Sequence, residues 1–282
     1  MEIKHDTSTW WARLRRNKWA MLGLSIIVLL IVCAVFAPLL SPYDPNEQNL
    51  PNQYAKPSRE HLLGTDQYGR DVLSRLLYGA RISLSVGFIS ISIALVSGGL
   101  IGAVAGYFGG WVDALLMRAL EVLMAFPSIL LTITFVTVLG PNLRNAMIAI
   151  GIVTIPGYAR VVRGSVISVK EREFVEAARA QGLTHSTILA REIVPNILSP
   201  IIVLSTLDVA GAILDTAALG FLGLGAQPPT AEWGSMLSAA KQSLYNAPWL
   251  ATYPGIAIMI TVLAFNLLGD GLRDALDPRM KL

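Results

Sequence analysis

The chain has 282 residues, of which 54% are hydrophobic and 15% charged, with a net charge of +3. That is too apolar for an ordinary water-soluble domain of this length, and it describes a membrane protein. A single cysteine, Cys33, excludes a disulfide framework and a thiolate metal site, and the basic excess falls beside apolar runs, so it calls for no nucleic acid.

A helix needs about 20 mostly apolar residues to cross roughly 30 Å of hydrocarbon. Six runs in the chain meet or approach that length, which predicts an all-α integral membrane protein with six transmembrane helices. Residues 1–18 form a basic arm. Trp19 to Leu40, residues 19–40, is the first span; it is too long for a cleaved signal, and Pro38 directly follows the small residue Ala37. Residues 41–81 form an external segment that opens on turn chemistry (Pro42, Pro45, Pro51, Pro57) and is expected to be irregular. From Asp71 onward, Val72, Leu73, Leu76 and Leu77 alternate with Arg75 and Arg81 as in an amphipathic helix lying at the outer interface.

Residues 82–272 hold the remaining five spans. The second, Ile82 to Val112, carries Gly98, Gly102, Gly106 and Gly110 at intervals of four, which puts all four near one helical face. Lipid supplies no hydrophobic drive between helices, so such a face predicts a close helix contact held by van der Waals packing. Val122 to Gly140 is the third span, preceded on the same pattern by Ala114 to Leu120. Ala146 to Ala159 is a short fourth, Ile197 to Ala226 the fifth and Pro248 to Gly269 the sixth. Pro127, Pro156, Pro200 and Pro254 fall in four different spans. Each removes a backbone hydrogen bond and favours a kink, which is tolerated where protein or a watery cavity re-satisfies the backbone.

Basic residues set the orientation. The arm, the segment 160–195, Arg118 and the tail 273–282 hold fifteen of the 22, including Lys4, Arg279 and Lys281. Both termini are therefore expected in the cytoplasm. Trp10, Trp11 and Trp19 at one border, and Trp249 and Tyr253 at the other, suit aromatic belts at the membrane surface.

No catalytic residue and no metal site is expected. His5, His61 and His185 are far apart, and no Gly-Lys dipeptide is present, so the chain has no phosphate-binding loop and should not hydrolyse ATP by itself. Asp208 and Asp215, seven apart on the fifth span, share a helical face. Intramembrane acids are functional candidates, so they are candidate pathway acids, against the plainer reading of buried acids satisfied within the protein.

Between the fourth and fifth spans, Ser168 and Glu171 have the spacing of a capping box that would start a helix near Val169. Gly182 is placed to end it in a left-handed conformation, and Thr184 or Ser186 to cap the next. With Ala177 and Ala178 keeping one face shallow, such a helix suits a groove on another protein.

Glu176-Ala177-Ala178, then Gly182, then Pro195 resembles the "EAA" loop of permease subunits in bacterial ATP-binding-cassette (ABC) importers. The pattern's isoleucine falls on Glu192, with Ile193 one place later, and its leucine on Val194. Leu63-Gly64-Thr65-Asp66 with Gly69-Arg70-Asp71, the run from Ala217 to Pro229 followed by Glu232-Trp233-Gly234, and the ending Asn266 to Asp274 are similar to the peptide permeases of the dipeptide and oligopeptide type. The resemblance implies a type I importer permease in the bacterial inner membrane that takes up dipeptides or short peptides. It implies as partners a sister permease, two ATPase subunits that bind the ATP, and an extracytoplasmic peptide-binding protein. The roles of Glu176, Ala177, Ala178, Gly182 and Pro195 in coupling to an ATPase are likewise implied by it. Nickel, glutathione and cationic-peptide importers resemble this branch closely and stay open as alternatives, as does a self-sufficient secondary transporter, which would show internal repeats.

Overall fold

The computed structural model describes residues 7–276; Lys4, Arg279 and Lys281 lie outside them. Among the described residues the chain is helical and contains no strand, only a lone antiparallel bridge between Thr65 and Asp71. The elements are α1 (Thr7–Arg16), α2 (Lys18–Val35), a single turn α3 (Ala37–Leu40), α4 (Val72–Phe108), α5 (Gly110–Met124), α6 (Ser128–Leu139), α7 (Leu143–Lys170), α8 (Glu173–Ala180), α9 (His185–Thr187), α10 (Leu198–Phe221), α11 (Trp233–Ala240) and α12 (Trp249–Leu276). Four of these helices, α2, α4, α7 and α12, are long and apolar enough to cross a membrane, and so is the continuous run His185–Phe221. A sixth crossing requires α5 and α6 together, which meet at 87°. The break falls at Ala125-Phe126-Pro127. Pro127 restricts the residue before it to extended backbone and cannot donate into a continuing helix.

Two expectations about the second span need correction. The amphipathic stretch after Asp71 is not a separate interfacial helix but the first turns of α4, which runs unbroken for 37 residues. Asp71 caps it, accepting from the Ser74 amide at 2.8 Å, and neither a proline nor a left-handed glycine falls in it before Gly109 and Gly110. Arg75 is accommodated inside the protein because its guanidinium donates to the carbonyls of Pro45 and Pro229 and lies 3.7 Å from Asp66. Gly110 does not share the face of the other three glycines. Gly109 and Gly110 have φ of +65° and +54°, which ends α4, and a side chain at Gly110 would meet nothing within 4 Å.

Gly98, Gly102 and Gly106 all face α7. A Cβ at Gly98 would stand 2.6 Å from the Ile155 carbonyl oxygen, one at Gly102 would collide with the carbonyl of Ala159, and one at Gly106 would stand 2.8 Å from the Arg163 carbonyl. From the other side Gly151 of α7 lies against Ile93 and Ser90 of α4. The partner of the glycine face thus lies within the same chain. Elsewhere α10 packs on α4 where Gly87 meets Val209 and Ile213, and on α12 where Gly269 meets Leu207; α2 packs on α12 through Gly23 and Ala264.

The fourth span is longer than the sequence suggests, because α7 runs through Arg160 and Arg163 to Lys170. Arg163 is held by a bidentate pair with Asp113 of α5, both contacts at 2.5 Å. One end of the bundle carries residues 41–71 and 222–248, joined where Tyr54 meets Ser243 and Arg75 meets Pro229. The other carries α1, α8 and the C-terminal end of α12.

The seam makes a specific prediction. Gly102→Ala places a methyl against a backbone carbonyl that cannot rotate away, and an overpacked site of this kind costs about 1–3 kcal/mol. The melting temperature of the purified protein should fall by several degrees. Gly99→Ala, where a Cβ meets nothing within 4 Å, should leave it unchanged.

Candidate functional site

The segment linking α7 to α10 is a small folded unit. The expected capping box is absent: Ser168 lies inside α7, and α8 begins after Arg172, whose side chain makes no cap. Packing carries α7 past Ser168, since Val166 and Val169 are buried in a cluster with Val175 and Ala178 of α8, Ala103 and Tyr107 of α4, and Ile188, Ile193 and Ile197. Glu173 and Glu176 stand in the first turn of α8, where carboxylates favour the exposed amides.

The helix ends as its glycine predicts. Gly182 has φ +76°; its amide donates to Arg179 and the Leu183 amide reaches back to Ala178. That pair of bonds closes the helix with a left-handed residue, a conformation that strains a side chain. Thr184 then caps α9, accepting from the Thr187 amide, and His185 Nδ1 lies 2.8 Å from the Tyr107 hydroxyl, tying the turn to α4.

Ile188–Ile193 is a π turn followed by a 3₁₀ turn at Val194–Ile197. Buried Ile188, Ile193 and Ile197 are therefore spaced by five and then four residues. The wide turn puts Ile193, rather than Glu192, in the inward position. Pro195 is exposed and offers no amide to the carbonyl four residues earlier; the Val194 amide instead bonds to Leu189, five residues back.

Within α8 the two alanines part. Ala178 is buried and Ala177 is exposed with Glu176. Two residues that sequence reasoning passed over, Phe174 and Leu183, are 36% and 39% exposed on the same unit. Their signal was legible, since neither falls on the three-residue spacing of Val175 and Ala178. Phe174, Glu176, Ala177 and Leu183 are thus all open at the surface of a tightly built loop.

Asp208 and Asp215 are both half-buried on α10. The Tyr158 hydroxyl stands near Asp208 and donates to Ser205 Oγ at 3.2 Å. The ion pairs among the described residues include neither acid.

At the opposite end, α10 turns back through Gly223 into α11, and Glu232 locks the return. Its carboxylate accepts from the amides of Gly234 and Ser235 at 2.7 and 2.8 Å and from Ser83 of α4 at 3.3 Å. Burial pushes this carboxyl up, against the pull of the two amides and the hydroxyl. Beside it an open cleft of about 500 Å³ is lined by Tyr54, Tyr68, Arg70, Ser235 and Lys241 among others.

Residues 98–282 match the family described as the binding-protein-dependent transport system inner membrane component, and residues 7–57 match the N-terminal transmembrane domain of oligopeptide transport permease C. The dipeptide transport system permease protein DppC of Alkalihalophilus pseudofirmus is 52% identical over 269 residues, 95% of this chain and 88% of that protein. The di/tripeptide permease protein DppC of Pseudomonas aeruginosa is 46% identical over 96% of this chain and 91% of its own. The glutathione transport system permease protein GsiD of Escherichia coli is 48% identical over 99% of this chain and 93% of its own. In fold the chain is similar to the MetNI methionine ABC transporter solved in inward-facing conformations, with a TM-score of 0.60 at 19% identity over 73% of this chain and 98% of that one.

The molecule is therefore a multi-pass permease of the type I ABC importer fold. The chain belongs to the binding-protein-dependent transport system inner membrane component family, on its peptide permease C branch.

The loop predicts an asymmetry between its alanines. Ala178→Leu forces three carbons into a filled cluster, at a cost of about 1–3 kcal/mol, and should open residues 171–185 to limited proteolysis. Ala177→Leu, pointing outward, should leave the digestion pattern of the purified permease unchanged.

Proposed function

We propose that this chain is one of two permease subunits of an importer of dipeptides or short peptides in the bacterial cytoplasmic membrane. The observation that carries the reading is 52% identity with a dipeptide permease, maintained over 95% of the chain. In this reading a sister permease completes the pathway, two ATPase subunits bind and hydrolyse ATP, and an extracytoplasmic binding protein delivers the peptide. Asp208 and Asp215 are candidate pathway acids.

The surface formed by Phe174, Glu176, Ala177 and Leu183 is the proposed seat on an ATPase, with Gly182 and Pro195 fixing the shape of the loop around it. Coupling requires that the ATPases contact the loop differently in their open and closed states. A loop with its own apolar core is able to transmit such a difference because it moves as a body. Ala177→Leu supplies the check: the permease should fold normally while less ATPase co-purifies with it.

The substrate is tested by uptake. Cells carrying the complete importer should accumulate a labelled dipeptide, and excess unlabelled dipeptide should compete better than glutathione or nickel. Preferential competition by glutathione would place the chain with the 48% identical glutathione permeases instead.

Orientation follows from the basic residues, which gather at the end carrying α1 and α8. In a Cys33→Ser background, a membrane-impermeant thiol reagent applied to intact cells should label Gln53→Cys and leave Ala177→Cys untouched until the membrane is permeabilised. Labelling in the reverse order would invert the topology.

A further inference from the structure

The N-terminal helix α1 is not used by the transport reading, yet its surface is unusually specific. It does not prolong the first span: Asn17 breaks the two helices apart with extended backbone (φ −81°, ψ 102°), and its side chain caps α2 by accepting from the amides of Trp19 and Ala20. What anchors α1 is Leu14, 2% exposed and seated with Ala20 and Ala275 at the C-terminal end of α12. Gly271 leaves the room, since a Cβ there would collide with Ala20 and stand 3.5 Å from Leu14.

At about 100° per residue, Trp10 and Trp11 flank Leu14 on the apolar side of α1. Arg13 and Arg15 fall on its two flanks, and Arg16 lies opposite. The indoles pack edge to face at 5.7 Å, and the Arg15 guanidinium lies over Trp11 at 5.0 Å. Trp10 is 36% exposed, and Trp19, the second residue of the adjoining span, is 68% exposed. Among the described residues, no ion pair involves Arg13, Arg15, Arg16 or Lys18.

We propose that α1 is a docking surface for anionic phospholipid, lying along the membrane face at the start of the first span with its indoles at headgroup depth and its arginines on the lipid phosphates. Charge complementarity identifies the occupant: four cations lie within six residues, and the ion pairs among the described residues are made elsewhere. Continuity with a membrane span identifies the location. Exposed indoles beside flanking arginines suit an interface that is apolar on one side and wet on the other, and an acidic soluble protein would have no use for Trp19 at the mouth of a span. Through Leu14 the bound leaflet is fastened to α12, which packs in turn on α10.

The test uses the full chain, purified with its partners and placed in nanodiscs of phosphatidylcholine and phosphatidylglycerol, with Trp111→Phe to remove the other strongly exposed indole. Brominated phosphatidylglycerol should quench tryptophan fluorescence more than brominated phosphatidylcholine at equal content. Each basic side chain near an anionic surface is worth roughly a fivefold change in affinity. Arg13→Gln, Arg15→Gln and Arg16→Gln together should therefore lower the preference on the order of a hundredfold, to near equality. Lys56→Gln with Arg59→Gln, in the external segment, should leave it intact. As a check that needs no variant of α1, raising salt to about 0.5 M should erase the preference, because exposed charges are then screened within a few ångströms. Equal quenching by both lipids in the unmodified helix, a preference retained by the triple variant, or one that survives high salt would overturn the proposal.

Discussion

Two apolar helices inside a bilayer gain nothing by excluding lipid, which is as apolar as leucine, so they associate only as well as their backbones approach. In this permease that constraint is met at the seam of α4 and α7. Gly98, Gly102 and Gly106 present no side chain of their own to the contact, and the carbonyls of Ile155, Ala159 and Arg163 come into the space left. The other long helices arrange themselves on this pair, α10 meeting α4 at Gly87 and α12 meeting α10 at Gly269. A glycine therefore stands at each of these contacts, and leucines such as Leu100 face outward.

The linking unit around α8 is held by different physics. It gathers at the end of the bundle, where burying Val175 among charged and exposed neighbours removes it from water at about 1.5–3 kcal/mol. Its core is shared with Ala103, Tyr107, Val162 and Val166, so the same α4–α7 pair that is zipped by glycine within the membrane is clamped by aliphatic packing at its end. The result is a loop with a fixed outer surface. A solvated hairpin of the same length would have no reason to bury Val175 and Ala178 completely while leaving Phe174 and Leu183 open.

Much of this was legible in sequence because it rests on local chemistry. The glycine period, the left-handed end at Gly182 and the cap at Thr184 are each decided by one residue and its immediate neighbours. What failed depended on contacts far along the chain. Ser168 and Glu171 have the spacing of a capping box, yet α7 continues past them because Val166 and Val169 are wanted in a cluster with residues from four other segments. Gly110 keeps the four-residue period but sits beside Gly109, and the pair leaves the helix. Arg75 seemed to mark an interfacial surface, whereas distant carbonyls at Pro45 and Pro229 make it an interior residue. Glu232 stood out only as part of a resemblance, since its role as a clamp exists only once α4, α10 and α11 have come together.

The two connections of α8 differ in how regularly their backbone is hydrogen-bonded. Toward α7 only Glu171 and Arg172 intervene, and the buried valines on both sides make the joint part of one core. Toward α10 the chain passes through the turn at Gly182, the wide π turn of Ile188–Ile193 and the 3₁₀ turn that contains Pro195. Helices bend at such places because their hydrogen-bond ladder is already interrupted. The ladder toward α10 is therefore the more interrupted of the two, while Ile188, Ile193 and Ile197 keep its first turns in the core that α8 shares with α7 and α4. At the opposite end of the bundle Glu232 ties the return after α10 to α4 through Ser83, so the chain on either side of α10 is fastened to the α4–α7 pair.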